Sequence, residues 1–233
     1  METIINEFNK KSEDNTDHGR SDHWKDYYKS NTAPQNPSSF AEYVYKNLIE
    51  SNFKSILEIG CGNGRHPLAY AQQNPRRQII AIEHTHTRFG AFEKKLQLLG
   101  SQRPQNLFAI HANAISWVYE FLGEASLDRV FLLYPNPYPK ASQLNKRWYA
   151  MSFMGYLHKT LKAGGTIELS SNLEFYLEEA KHYMPGLWGF KLIEEKTLSL
   201  KQFAAESFAA RTQFEEKYLK AQMTCKSLIF QKL

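Results

Sequence analysis

Ile56-Leu57-Glu58-Ile59-Gly60-Cys61-Gly62-Asn63-Gly64 runs from an apolar segment into three glycines at alternate positions. Arg65-His66 follow, and then a helical pattern begins. A strand, a tight glycine turn and a helix in that order bring backbone N–H groups close to a nucleotide-like ligand. Glycine suits such a turn because the backbone takes unusual angles there and a Cβ would meet the ligand. The spacing is E-x-G-x-G-x-G, with the acid inside the strand end, and differs from the G-x-G-x-x-G of dinucleotide folds.

Outward from this turn the chain alternates strands and helices. Short, mostly apolar strands are expected at Ser55–Ile59, Gln78–Glu83, Asn106–His111, Leu127–Tyr134 and Thr166–Ser170, the pattern of buried parallel pairing. Helices are expected at Pro67–Asn74, Arg88–Leu99, Ile115–Leu122, Lys146–Leu161 and Leu173–Tyr183, with Pro75, Gly100 and the pair Gly164-Gly165 as stops. Lys191–Leu198 and Met223–Phe230 read as the last strands, separated by a long excursion from Ser199 to Gln222. Met151, Phe153, Met154 and Leu157 read as the buried side of a helix. Before the first strand, Met1–Asp22 is polar, and Trp24, Tyr27 and Tyr28 make an aromatic cluster. Ala33-Pro34-Gln35-Asn36-Pro37 breaks the chain, and Ser38 or Ser39 caps a helix through Phe40, Val44, Leu48 and Ile49. This predicts a partly disordered N-terminal arm over residues 1–37 and one folded domain over 38–233.

The totals set bounds. A chain of 233 residues with 42% hydrophobic content supplies one α/β domain with a real core. No apolar run approaches the roughly 18 residues that span a bilayer, and no signal-peptide core is visible, so a cytoplasmic protein away from membranes is expected. Two cysteines, Cys61 and Cys225, make no disulfide framework. The net charge of +5 is unevenly spread. No carboxylate lies between Arg129 and Glu168, whereas Lys140, Lys146, Arg147, Lys159 and Lys162 fall there. A one-signed stretch of this kind holds phosphates or forms a solvated face.

In an open α/β sheet the ligand lies at the C-terminal ends of the strands. Those ends carry Glu58, then Glu83, whose carboxylate is spaced to accept ribose hydroxyls, then Asn113, whose amide suits an adenine edge. The fourth strand ends in Tyr134-Pro135-Asn136-Pro137-Tyr138-Pro139-Lys140. Three prolines make this loop stiff, so Asn136 is placed at little ordering cost, and Tyr138 offers a face to a base or a sulfonium. Glu83-His84-Thr85-His86 and His111 lack a third ligand at a recognised spacing, so no metal is expected.

The glycine turn resembles the first motif of S-adenosylmethionine (SAM) methyltransferases, and the chain from about Ser55 onward resembles the tRNA (guanine-N7-)-methyltransferase family. The likeness rests on the turn, Glu83, Pro135-Asn136-Pro137-Tyr138-Pro139-Lys140 followed by Asn145-Lys146-Arg147, Asn172 after the fifth strand, and Arg211-Thr212-Gln213-Phe214-Glu215. It implies a Rossmann-like class I methyltransferase, a mostly parallel seven-stranded sheet with helices on both faces and an antiparallel last strand. It also implies SAM held by Glu58, Gly60, Gly62, Gly64, Glu83, Asn113 and Asn136, with Asn136, Tyr138 and Lys140 at the reacting centre. Lys140, Asn172, Arg211, Thr212 and Glu215 would bind substrate, with Thr212 and Glu215 gripping either the guanine or the methionine end of SAM, and tRNA is the implied partner of a monomer or weak dimer. The chain departs from the family pattern at Asn136 and Asn172, where the family has Asp, at Tyr138, where it has Trp, and at Ala141-Ser142-Gln143-Leu144, where it is basic. Asn136-Pro137-Tyr138 also resembles the N-P-P-Y motif of enzymes that methylate planar amino groups, short of one proline. A third reading is a SAM- or RNA-binding relative that lost its chemistry with the two aspartates.

Overall fold

A computed structural model describes residues 54–198 and 210–233. The expected arm over residues 1–37, the helix through Phe40 and Ile49, and residues 199–209 of the long excursion lie outside the described residues. Seven strands form one sheet: β1 (Lys54–Ile59), β2 (Arg77–Glu83), β3 (Leu107–His111), β4 (Leu127–Leu133), β5 (Leu161–Ser171), β6 (Phe190–Leu198) and β7 (Cys225–Lys232). The helices are α1 (Arg65–Gln73), α2 (His86–Leu99), α3 (Ala114–Phe121), α4 (Phe153–Thr160), α5 (Glu174–Trp188) and α6 (Gln213–Lys220). The strand order is β3-β2-β1-β4-β5-β7-β6, with β7 antiparallel to both its neighbours and the other pairings parallel.

This is the doubly wound, mostly parallel sheet with an antiparallel last strand that the sequence predicts. The period-two alternation of the strands divides the interior into two cores. Ile56, Ile79, Ala81, Phe131 and Leu133 face one side with Phe92 and Leu219. Leu57, Ile80, Ile82, Val130 and Leu132 face the other, packing with Trp117, Met154, Leu157, Tyr176 and Met184. The strand order reverses between β1 and β4, which opens the crevice where such folds bind ligands.

One expected helix is shorter than the sequence suggests. The helical pattern from Lys146 to Leu161 yields only α4, preceded by 3-10 turns at Ala141–Lys146 and Trp148–Ala150. The cause is tertiary: Arg147 and Tyr149 both turn inward, at 3% and 0% exposure, and no single helical face accommodates both with α4. Leu161 to Gly165, expected to close that helix, instead extends β5, with an irregularity opposite Leu127 and Arg129.

The glycine turn itself takes left-handed angles, with φ of +74°, +60° and +75° at Gly60, Gly62 and Gly64. At Gly64 there is a second demand: a Cβ would lie 1.9 Å from the Phe92 ring. Gly64→Ala is therefore expected to destabilise the fold by about 3 kcal/mol, combining backbone strain with overpacking. Gly62→Ala, with no atom within 4 Å of the new Cβ, carries the strain alone, about 1–2 kcal/mol. Urea unfolding of the two variants separates the cases, and equal losses would remove Phe92 from the explanation.

Candidate active site

The ends of β1, β2, β3 and β4 border one cleft of about 1090 Å³. It is lined by Glu58, Gly60, Gly62, Glu83, Asn113, Asn136, Tyr138 and Thr212, so residues spread over 150 positions of sequence meet in one place. Gly64, Lys140, Asn172, Arg211 and Glu215 lie outside that lining.

On the glycine side, Glu83 is 4% exposed. Its Oε2 accepts the Gly62 N–H at 2.8 Å and its Oε1 the Thr85 N–H at 2.7 Å. Each carboxylate oxygen keeps a further lone pair for a ligand hydroxyl. Glu58, buried beneath the turn, pairs with His66 Nδ1 at 2.7 Å, and the His66 ring packs edge-on against Phe131. Lys95 donates to the Asn63 carbonyl at 3.0 Å and ties the turn to α2. Burial, and then the charges of Glu58 and Glu83, push the Cys61 thiol well above its ordinary value, so it stays protonated and serves as a small turn residue. Asn113 caps α3: its Oδ1 accepts from Ile115 and Ser116 N–H at 2.9 and 3.3 Å. That leaves its NH2 group as the part available to a base edge.

On the opposite side stands the proline loop. Asn136 Oδ1 accepts the Tyr138 N–H at 3.3 Å. Tyr134 and Tyr138 take left-handed φ of 52° and 44°, uncommon for residues with side chains. Arg147 holds this conformation: its Nε and Nη2 donate to the Tyr138 carbonyl at 3.1 and 2.9 Å, and Nη2 also to the Lys140 carbonyl at 3.2 Å. Its Nη1 pairs with Glu179 of α5, which also accepts the Tyr149 hydroxyl at 2.5 Å. In the one-signed stretch, then, Arg147 is internal and Lys162 is paired with Asp128, while Lys140, Lys146 and Lys159 are exposed. Lys146 Nζ lies 5.9 Å from the Tyr138 ring centre and lines the cleft.

The segment Arg211–Glu215 is split between cleft and interior. Thr212 lines the cleft and caps α6, its Oγ1 accepting the Glu215 N–H at 3.0 Å. Arg211 and Glu215 point inward, where the guanidinium bridges Glu168 and Glu215 and reaches Ser170 and Ser227 at 3.2 and 2.9 Å. The Tyr134 hydroxyl donates to Glu215 at 2.8 Å, which joins the proline loop to α6. Asn172, at the end of β5, donates to Met223 Sδ at 3.6 Å. Phe214, within the Thr-x-Phe-Glu run, lines the cleft beneath Arg88, whose guanidinium carbon is 5.4 Å from the ring centre. Arg65, Tyr119, Trp148 and Trp188 also line the cleft. No local signal marks these four, because each is brought there by a different element.

Among the described residues there is no cluster of three His, Cys, Asp or Glu side chains placed for a metal, and no helix is long and apolar enough to cross a membrane. The cleft fits a nucleoside-bearing cofactor on two observations. Gly60 and Gly62 line it with no protein atom within 4 Å of a Cβ built on either, and the Glu83 carboxylate stands at the neighbouring strand end.

Comparison with known proteins agrees with this geometry. The model of a family described as putative methyltransferase matches residues 52–228. A tRNA (guanine-N(7)-)-methyltransferase of Mycoplasma pneumoniae is 30% identical over 205 residues, covering 85% of this chain and 93% of that one. An enzyme of the same name from Roseobacter denitrificans is 33% identical over 135 residues, 58% of this chain, and the match spans 56% of that relative's length. Among solved structures, the 16S rRNA methyltransferase KamB superposes with a TM-score of 0.61 at 15% identity, over 86% of this chain and 98% of that one, a likeness of fold.

The buried ion pairs can be tested in two ways. Arg147→Ala leaves the Tyr138 and Lys140 carbonyls without their donor, and is expected to cost about 2–4 kcal/mol and to speed amide exchange across residues 136–140. Exchange unchanged in that loop would show that the prolines alone fix it. The second test concerns acid. Burial raises the Glu215 carboxyl, but the Arg211 charge and the hydrogen bonds from Arg211 and Tyr134 outweigh it and hold the group below its ordinary 4.5. A carboxyl depressed in the folded state contributes stability that is complete above its unfolded value and is lost as pH falls through the folded one. Glu215→Gln should therefore lower the melting temperature near neutral pH and flatten its fall below about pH 4. An acid limb as steep as that of the unaltered protein would contradict this.

Proposed function

The chain belongs to the putative methyltransferase family, and from that premise we propose that it transfers a methyl group from SAM to N7 of a guanine in tRNA. The observation that carries this reading is the Asn136–Tyr138 loop lining the same cleft as the glycine turn and Glu83. When bound, SAM supplies an electrophilic methyl group on a sulfonium. Glu83 and Asn113 would hold the nucleoside end, and the loop would align the acceptor.

Guanine N7 already carries a lone pair, so no proton has to leave before attack. Catalysis then rests on alignment and the exclusion of water. Asn136 suits that role, because its oxygen is engaged with the Tyr138 N–H and its NH2 is left to donate. Guanine O6, beside N7 on that edge, can accept such a bond while the N7 lone pair stays free to attack. An amino-group acceptor needs an oxygen to receive its proton; Oδ1 keeps a second lone pair for that, so nucleoside analysis of the product separates the two acceptors. Tyr138 offers a stacking face, and Lys140, Lys146 and Lys159 are exposed cations for the RNA backbone. The name shared by the Mycoplasma and Roseobacter relatives supports the same acceptor. A reducing cytoplasm suits Cys61 and Cys225, both buried and unpaired.

The test is methyl transfer from labelled SAM to bulk tRNA lacking 7-methylguanosine, followed by nucleoside analysis. Labelled 7-methylguanosine is expected. Glu83→Ala should abolish it together with cofactor binding. Lys140→Ala should lower the salt dependence of tRNA binding by about one phosphate contact. Absence of label while S-adenosylhomocysteine still raises the melting temperature would reject tRNA and leave the cofactor reading standing.

A further inference from the structure

Resting on the reading of the cleft as a SAM site, we propose that Arg65 binds the α-carboxylate at the amino-acid end of the methyl donor, in exchange for Glu216. SAM has a nucleoside at one end and an amino-acid zwitterion at the other. Glu83 and Asn113, at the ends of β2 and β3, mark the nucleoside end. A carboxylate at the far end calls for a cation with free donors.

The basic residues lining the cleft are Arg65, His66, His84, Arg88 and Lys146. His66 is committed to Glu58. His84 follows Glu83 at the nucleoside end. Arg88 lies over the Phe214 ring, and Lys146 over Tyr138 in the acceptor loop. Arg65 is the first residue of α1, directly beyond the glycine turn. It makes an ion pair with Glu216 through Nη1. Its Nη2 makes no hydrogen bond among the described residues, so a ligand carboxylate that takes Nη1 from Glu216 can also engage Nη2 in a two-point contact.

Glu216 is built to lose this partner. Its Oε1 also accepts from Lys220 Nζ at 2.5 Å. The Arg65 and Glu216 side chains are 38% and 29% exposed, so exchange strands no charge in a dry interior. Glu216 is thus an internal competitor for the cofactor carboxylate, carried on the helix that presents Phe214 to the cleft.

The test compares two ligands by calorimetry: S-adenosylhomocysteine, which has the amino-acid end, and methylthioadenosine, which lacks it. Arg65→Ala is expected to weaken S-adenosylhomocysteine by about 10- to 100-fold and to leave methylthioadenosine within about twofold. Retained methylthioadenosine binding shows at the same time that the variant is folded. Glu216→Gln is expected to keep or tighten S-adenosylhomocysteine binding. Equal weakening of both ligands by Arg65→Ala, or weakening by Glu216→Gln to match it, would make the pair a strut for α6 and overturn the inference. Unaltered protein that takes neither ligand would overturn the SAM reading, and this inference with it.

Discussion

Glu83 takes the Gly62 N–H on one carboxylate oxygen and the Thr85 N–H on the other, at 2.8 and 2.7 Å. An ionised carboxylate at 4% exposure is costly unless such donors surround it. Both donors are groups whose placement creates the cleft. Gly62 lies in the turn after β1, and Thr85 is the residue at which α2 begins. One side chain therefore fixes the spacing between two strand ends, and the left-handed glycines give the chain the freedom to accept that spacing. On the proposed function, a ligand hydroxyl would complete a shell that the backbone has already half filled.

The proline loop follows the same logic with the opposite sign. Arg147 gathers carbonyls as Glu83 gathers N–H groups. Tyr134 and Tyr138 hold left-handed angles that cost on the order of 1–3 kcal/mol each. They persist because Arg147 holds Tyr138, while Ser170 and Glu215 hold Tyr134 through its N–H and its hydroxyl. A buried ion pair is weak evidence for stability but a sound way to select one conformation. Each anchor fixes a segment that lines the cleft, Glu83 the glycine turn and Arg147 the proline loop.

The sheet is legible in the sequence because alternating apolar strands and glycine or proline stops are local signals, and the strand ends follow from them. The region from Ala141 to Met151 is not, because its structure is set by contacts between distant residues, Arg147 with Tyr138 and Glu179. In the sequence Arg147 stands among lysines and looks like one more phosphate contact; only its 3% exposure shows that it serves the loop. Arg211 and Glu215 differ from expectation in the other direction. A signature found near a site in sequence divides in space, with Thr212, Gln213 and Phe214 at the cleft and Arg211 and Glu215 turned inward.

The asparagine at position 136 can be weighed in these terms. The loop does not need a carboxylate to hold its shape, since the Arg147 charge is met by Glu179 and the Tyr138 N–H is met by the amide oxygen. What Asn136 gives up is charge. On the proposed reaction, positive charge develops on the base as N7 is methylated, and a carboxylate would stabilise that state more than the starting one. The neutral base, however, presents O6 as an acceptor beside N7, which a carboxylate repels and an NH2 group attracts. The amide therefore shifts interaction from the transition state toward the bound ground state, so that tighter acceptor binding and slower transfer are two aspects of one substitution.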